Sequence, residues 1–132
     1  MSGTTKVFGW RAMLNRLLSK VNLQRRRITV SCNLCPFCRM EEETVQHIFS
    51  TCVVAHRLWV KCYNWVGIKS VRNYDIANQF CNFYVNAMSK RSNFVWKGMW
   101  MTLALEIWKH RNRIVFDKGK LDEIKIFAMT QL

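Results

Sequence analysis

Three cysteines and one histidine, all residue types that bind metal ions, are concentrated between positions 35 and 52. They are Cys35, Cys38, His47 and Cys52. Thiolates and an imidazole that converge on one point repel one another and lose hydration unless a cation holds them. Zinc accepts cysteine sulfur and histidine nitrogen in tetrahedral geometry, and four protein ligands make a closed, structural site. The pattern therefore predicts a Zn²⁺ cofactor bound by these four residues.

The spacing within this set also predicts the course of the backbone. Cys35 and Cys38 flank a Pro-Phe pair, which suits a tight turn whose following N–H groups point at sulfur. His47 and Cys52 are five residues apart, about 140° around a helix, so one straight helix cannot direct both at one ion. We expect a short helix over about Glu43–Ser50, then a break, with Cys52 in the turn that starts the next helix.

Other interpretations of the cysteines stay open at this point. Buried free thiols are one alternative, since cysteine is among the most buried residue types, and a disulfide is another. Cys32 extends the series to Cys32-x2-Cys35-x2-Cys38 and competes as a ligand. We favour Cys35 over Cys32 because the Pro-Phe pair suits the turn.

Apolar residues that recur every three or four positions predict a mainly α-helical fold. The expected helices cover about residues 6–21 with a stop at Asn22, a segment from the turn at Cys52 to a stop at Gly67, residues 75–88, 94–113 and a short segment from Asp122. Those containing Trp59, Trp65, Trp100 and Trp108 are rich in tryptophan and are expected to form the core. Cys62, in the same apolar stripe as Trp59, is expected to be a buried thiol. We therefore expect one small domain over residues 1–132, with a zinc knuckle at about 28–53 packed on Trp-rich helices within about 54–132.

Two shorter segments carry expectations of their own. Ile28–Val30 is a β-type run that suits a small ribbon beside the metal. His110–Arg113 is a basic cluster in the expected last turn of a helix, where positive charge suits the helix dipole.

The charge balance points to polyanionic partners. The chain has 21 Lys and Arg against 8 Asp and Glu, a formal net charge of +13, and its first forty residues contain no acid. Three consecutive arginines cannot all face inward on a regular element, and guanidinium groups match phosphate oxygens. Nucleic acid is therefore the expected partner, bound mostly through phosphate. The predicted contact residues are Arg25, Arg26, Arg27 and Arg39. A solvated basic surface and an anionic membrane surface are the alternatives.

The expected cellular compartment and chemistry of the protein follow mainly from signals that the sequence lacks. Six cysteines in a zinc-like series without a secretory signal predict a reducing intracellular location, nucleus or cytoplasm, with a mitochondrial presequence as the alternative. The longest uncharged apolar stretch near the C-terminus, Gly98–Leu105, is far short of the roughly 20 residues that span a membrane. No phosphate loop or catalytic carboxylate pair is found, so we expect no enzymatic activity. Nothing predicts an oligomeric state.

Several motifs follow one another in a specific order. They are Phe8-Gly9-Trp10-Arg11, Leu14-Asn15-Arg16-Leu17, Asn22-Leu23, the basic pair Arg25-Arg26, Cys35-x2-Cys38, Glu43-x3-His47-Ile48-Phe49-x2-Cys52, Trp59 and the later run Ile107–Phe116. Together they resemble the zinc-binding domain found near the C-terminus of plant LINE-type (non-LTR) retrotransposon reverse transcriptases, over roughly residues 7–116. The resemblance implies the same four zinc ligands and a role in holding template RNA or target DNA.

The chain departs from that family in two places. Leu18-Ser19-Lys20 stands where Pro-Thr-Lys is usual, and Arg27 replaces a typical glycine after the basic pair. The polymerase and ribonuclease H domains are not recognised, so a detached module or a retroelement remnant is expected, without catalysis. A structural or protein-interaction domain without nucleic-acid binding is the competing expectation.

Overall fold

The computed structural model describes residues 11–12, 15–66 and 90–131, and their side chains except at 66 and 90–96. The described helices are α1 (Lys20–Arg25), a π-helical turn (His47–Thr51, the π-turn), α2 (Val53–Val66), α3 (Lys90–Asp117) and α4 (Glu123–Gln131). The described residues contain no strand beyond one isolated bridge between Leu34 and Glu42. The predicted mainly α fold, with a Cys-Cys-His-Cys cluster beside Trp-bearing helices, is confirmed.

The first predicted helix, over residues 6–21, is wrong within its described part. Residues 11–12 are helical, but Asn15 has φ 55° and residues 16–19 are not helical. A new helix, α1, starts after Ser19, whose hydroxyl accepts the N–H of Asn22 at 3.2 Å. Asn22, expected to stop a helix, therefore lies inside one. The cause is local, since a serine cap satisfies an N–H that a continuous helix would bond internally.

A narrow hairpin carries the first two cysteines. Cys35 donates its backbone N–H to Glu41 O at 2.7 Å, and Glu43 donates its own to Asn33 O at 2.8 Å. Residues 33–35 and 41–43 thus pair around the bridge, and residues 36–40 form the turn. The expected ribbon at Ile28–Val30 is wrong, because those residues are not in a strand.

The core lies between α2 and α3, under the π-turn. The rings of Trp59 and Trp100 stack at a centroid distance of 5.2 Å, and the Phe49 ring stacks on Trp108 at 5.9 Å. The Trp59 indole donates Nε1–H to the carbonyl of Phe49 at 2.6 Å. Trp65 was predicted to share the buried stripe of α2 but is 46% exposed. The π-turn is therefore bound to the core by apolar packing and one buried hydrogen bond.

Helix α3 is longer than predicted at both ends. It starts at Lys90, inside the expected connector, and reaches Asp117. Lys118 follows with φ 56°, and Gly119 donates its N–H to Arg113 O at 3.0 Å. A Cβ at Gly119 would lie 3.3 Å from the Arg113 carbonyl group, so the glycine permits this close approach.

The last predicted helix is confirmed as α4, which packs on α3 and α2. Asp122 caps it by accepting the N–H of Lys125 at 3.1 Å. The helix expected over 75–88 and the expected stop at Gly67 lie outside the described residues. None of the described helices is long and apolar enough to cross a bilayer.

A buried ion pair joins the hairpin to α3. Glu43 and Arg111 are 0% and 1% exposed in their side chains, and the Arg111 fork bonds both carboxylate oxygens at 2.6 and 2.8 Å. Glu43 also accepts the N–H of Lys20 at 2.8 Å, so the same carboxylate binds the start of α1 as well as α3. The predicted dipole role of the basic cluster is wrong for Arg111, because α3 continues past it and the side chain is neutralised inside the protein.

Candidate metal centre

The structure brings the four sequence-predicted ligands together. The three sulfurs and one imidazole nitrogen all lie within 4.8 Å of one another. The Sγ atoms of Cys35 and Cys52 are 3.9 Å apart, and Cys38 Sγ lies 3.3 Å from His47 Nε2. Cys38 is half-buried and the other three are buried. Residues from the hairpin, the π-turn and the start of α2 thus converge on one small volume.

Backbone N–H groups approach two of the sulfurs. Those of Phe37 and Cys38 bond Cys35, as the tight-turn prediction requires, and those of Val54 and Ala55 bond Cys52. Cys52 precedes α2, so its sulfur sits at a helix N-terminus, where unsatisfied donors favour an anion. These donors favour the negatively charged form of each sulfur, as binding to a cation requires.

The predicted break between His47 and Cys52 is confirmed, and its form is the π-turn. The N–H of Cys52 bonds the carbonyl of His47 at 2.9 Å, five residues back, and Cys52 itself is extended with ψ 137°. The wider turn and the extended residue rotate the two side chains toward the same point. Single π-turns of this kind are frequent at functional sites.

Thr51 and Glu41 orient the imidazole of His47. Its Nδ1 lies 2.9 Å from Thr51 Oγ1 and 3.2 Å from Glu41 Oε2. A neutral imidazole with its proton at Nδ1 would leave the Nε2 lone pair facing Cys38. This is the tautomer and support that metal-binding histidines use.

Burial and mutual hydrogen bonding drive the two buried cysteines apart in pKa. The hydrogen bond to Cys52, with burial, raises the pKa of Cys35 far above its usual range. The same bond, together with His47 and the helix N–H groups, outweighs burial and lowers the pKa of Cys52 to about 4. Burial would lower the pKa of His47, but hydrogen bonds to Cys52 and Cys38 raise it to about 9. A divalent cation bound here would displace the protons of these groups.

The donor set fits zinc. With bonds of about 2.3 Å to sulfur and 2.0–2.1 Å to nitrogen, tetrahedral angles require ligand atoms about 3.5–3.8 Å apart. Two of the separations, 3.3 Å between Cys38 Sγ and His47 Nε2 and 3.9 Å between the sulfurs of Cys35 and Cys52, lie on either side of that range. Four protein ligands leave no position for water, so such a metal ion would stabilise the fold and would not activate a nucleophile.

The remaining cysteines in the described part of the chain lie apart from this cluster. Cys32 is exposed and accepts the N–H of Leu34 at 3.3 Å. Cys62 is buried in α2, and burial raises the pKa of its thiol to about 11. The prediction that Cys62 is a buried thiol is confirmed, and the geometry favours Cys35 over Cys32 at the metal position.

The four arginines predicted to bind nucleic acid are all exposed. Arg25 ends α1, and Arg26 and Arg27 follow it. Arg27 has φ 60°, and the N–H of Ile28 bonds the Leu23 carbonyl at 3.0 Å, which closes the helix end. Arg39, in the hairpin turn, has φ 55°. Whether these residues bind nucleic acid stays a prediction.

Sequence reasoning missed three residues that support the site. Thr51 was missed although its position four residues after His47 is the spacing of a helical neighbour. Glu43 and Arg111 are 68 residues apart, and no local signal connects them.

Comparisons with known proteins agree with this geometry. Neither a curated protein nor a solved structure matches the chain. The comparison with family models found no polymerase or ribonuclease H domain. Residues 3–59 match the family described as zinc-binding in reverse transcriptase, and this segment contains all four clustered residues. The predicted resemblance is thereby confirmed at the level of that family.

Proposed function

We propose that this protein is a non-catalytic, zinc-stabilised module that binds RNA or DNA through phosphate. Zinc binding, the first part of this proposal, is supported by the convergence of four potential ligand atoms within 4.8 Å, in the segment that matches a zinc-binding family. Zinc would be held by Cys35, Cys38, His47 and Cys52. Apparent binding energies of structural zinc are about 10–16 kcal/mol, comparable with the whole stability of a small domain.

Metal analysis of the purified chain tests the zinc half. We expect one zinc ion per chain, and a strong chelator should remove it together with much of the helical circular dichroism signal. Cys38→Ser should lose the metal, whereas Cys32→Ser, a matched change at the exposed neighbouring thiol, should keep it. Equal zinc content in the two variants would refute the ligand assignment.

The nucleic-acid half rests on charge and exposure. The chain carries a formal charge of +13, and Arg25, Arg26, Arg27 and Arg39 have no ion-pair partner among the described residues. Arg27 and Arg39 both occupy left-handed backbone, which costs a non-glycine residue about 1 kcal/mol. An exposed cation at a backbone position that favours glycine supports a role beyond folding.

A salt titration of binding tests this half. Affinity for RNA or DNA should fall linearly with salt on a logarithmic plot, by about 0.7–0.9 per phosphate neutralised. Changing Arg25, Arg26 and Arg27 to glutamine should weaken binding and flatten that slope by about 2–3. Changing Lys118, Lys120 and Lys125 to glutamine removes the same amount of charge from another part of the surface. This control should reduce the affinity and the salt slope less than the arginine changes do. No binding at low salt would favour a structural or protein-interaction module.

Origin and location are part of the same proposal. The plant LINE-type lineage would place the module beside a reverse transcriptase, where it would hold template RNA or target DNA. An intracellular location, nucleus or cytoplasm, suits both reduced cysteine ligands and nucleic acid.

A further inference from the structure

A groove of about 910 Å³ lies between the segment that leads into the hairpin and the C-terminal part of α3. Its apolar surface includes Leu18, Ile28 and Phe116, which are 43%, 49% and 65% exposed. Exposed apolar groups gathered in one concavity are typical of binding sites, and the volume is in the range of ligand pockets.

The charged residues of this groove are all of one sign. Arg11, Arg16, Lys20 and Arg39 line it, and no aspartate or glutamate of the described chain does. Arg111 also lines it, but Glu43 neutralises that guanidinium from beneath. An occupant with negative charge is therefore favoured, and one with positive charge is excluded by repulsion.

The aromatic side of the groove is held rigidly. The guanidinium of Arg111 lies 4.5 Å from the Trp108 ring centroid and 5.8 Å from that of Phe116. Because two hydrogen bonds to Glu43 hold Arg111 in place, it supports the Phe116 ring from one side. A mostly exposed, supported aromatic ring beside cations is the arrangement that binds unpaired bases and their phosphates.

We propose that this groove binds a short single-stranded stretch of nucleic acid, with a base stacked on Phe116 and phosphates at Arg16 and Arg39. The proposal rests on the proposed nucleic-acid binding and adds to it a preference for unpaired over duplex strands. In a duplex the faces of the bases are stacked on one another, so they are inaccessible to Phe116. Leu23 and Ile28, which line the groove, flank the Arg25–Arg27 cluster in sequence, so the same strand can reach both.

Fluorescence anisotropy with the zinc-loaded full chain tests the groove. The probes are labelled oligo-uridine, oligo-thymidine and a duplex of equal length, each titrated at the same series of salt concentrations, and polyglutamate serves as a polyanion without bases. Base stacking on an aromatic ring is worth about 1–3 kcal/mol, so Phe116→Ala should weaken single-strand binding by about 5- to 150-fold. Duplex binding should change less than about twofold, and Phe116→Tyr should restore single-strand binding because it keeps the ring.

Ile124→Ala is the matched control, since Ile124 is also exposed and lies on α4 away from the groove. It should leave binding to all three probes unchanged. Arg39→Gln, which leaves the aromatic ring in place, should weaken single-strand binding and lower its salt slope by about 0.7. Zinc content and circular dichroism of each variant show whether it is folded.

Three results would overturn the groove proposal. If Phe116→Ala leaves single-strand binding intact while binding stays steeply salt-dependent, nucleic-acid binding stands and the groove does not. An equal loss of duplex and single-strand binding also refutes it. If polyglutamate binds with the same dependence on Phe116 and neither nucleic acid binds, the groove takes acidic peptide and the proposed function fails with it.

Discussion

Replacing Arg111 by methionine tests how strongly the buried ion pair holds the metal-site hairpin on α3. In the intact protein the Glu43 carboxylate receives three hydrogen bonds, two from Arg111 and one from Lys20 N, and none of it is exposed. The variant removes two of these bonds and leaves a buried charge without its counterion. Breaking a buried pair from one side costs about 3–5 kcal/mol. Against a total stability of about 5–15 kcal/mol, this is a large fraction.

The double variant Arg111→Met with Glu43→Gln separates the stranded charge from lost packing. A neutral amide can still accept the Lys20 N–H, so the buried charge disappears while this bond stays. The double variant should therefore be more stable than Arg111→Met alone, by about 1–3 kcal/mol.

Urea unfolding at constant excess zinc, followed by tryptophan fluorescence, measures these differences. Arg57→Met is the control: the Arg57–Glu123 pair has the same two-bond geometry, at 2.9 Å each, but Arg57 is half-exposed. Its loss should cost at most about 1 kcal/mol. Arg111→Met costing no more than Arg57→Met, or a double variant no more stable than Arg111→Met, would refute the reasoning.

Three further predictions concern single side chains. His110 Nε2 accepts the N–H of Asp122 at 2.9 Å, and burial, with nearby cations, lowers the pKa of His110. Because the folded state favours the neutral imidazole, this contribution to stability is present above the unfolded pKa of about 6.5 and is lost as pH falls below it. His110→Gln should therefore show a smaller drop in the urea midpoint between pH 7 and pH 5 than the unchanged protein. Equal losses in both proteins would contradict this. Trp59→Phe keeps a ring but removes the indole donor to the Phe49 carbonyl, which should cost about 0.5–1.5 kcal/mol in urea unfolding, and no measurable cost would mean that water replaces the indole. Arg27→Gly relieves the left-handed backbone at φ 60° and should raise the free energy of unfolding by about 1 kcal/mol while weakening nucleic-acid binding. Arg27→Ala should weaken binding without this gain in stability. Equal stability of the two variants would refute the strain argument.

Local rules account for the parts of the site that were predicted correctly. The Pro-Phe pair predicted the tight turn at Cys35, and the angular separation of His47 and Cys52 predicted the break that appears as the π-turn. Apolar periodicity likewise predicted α2 and α4. Each of these features depends on residues within about one or two turns of chain, where sequence spacing translates directly into geometry.

The errors arose where one local preference competed with another or with a distant partner. Periodicity over 6–21 favoured one helix, but the Ser19 cap starts a new one at Lys20. The His110–Arg113 cluster looked like a charged helix end because its neutralising partner lies far away in sequence.

The sequence by itself indicated the four clustered residues, the helical class and the basic character, since residue type and near-neighbour spacing are sufficient for each. Tertiary structure alone decided that Glu43 meets Arg111 across 68 residues and that Phe116 faces a groove lined by cations from other segments. Such contacts depend on how helices pack, and buried charges are tolerated only when packing brings their counterions into place.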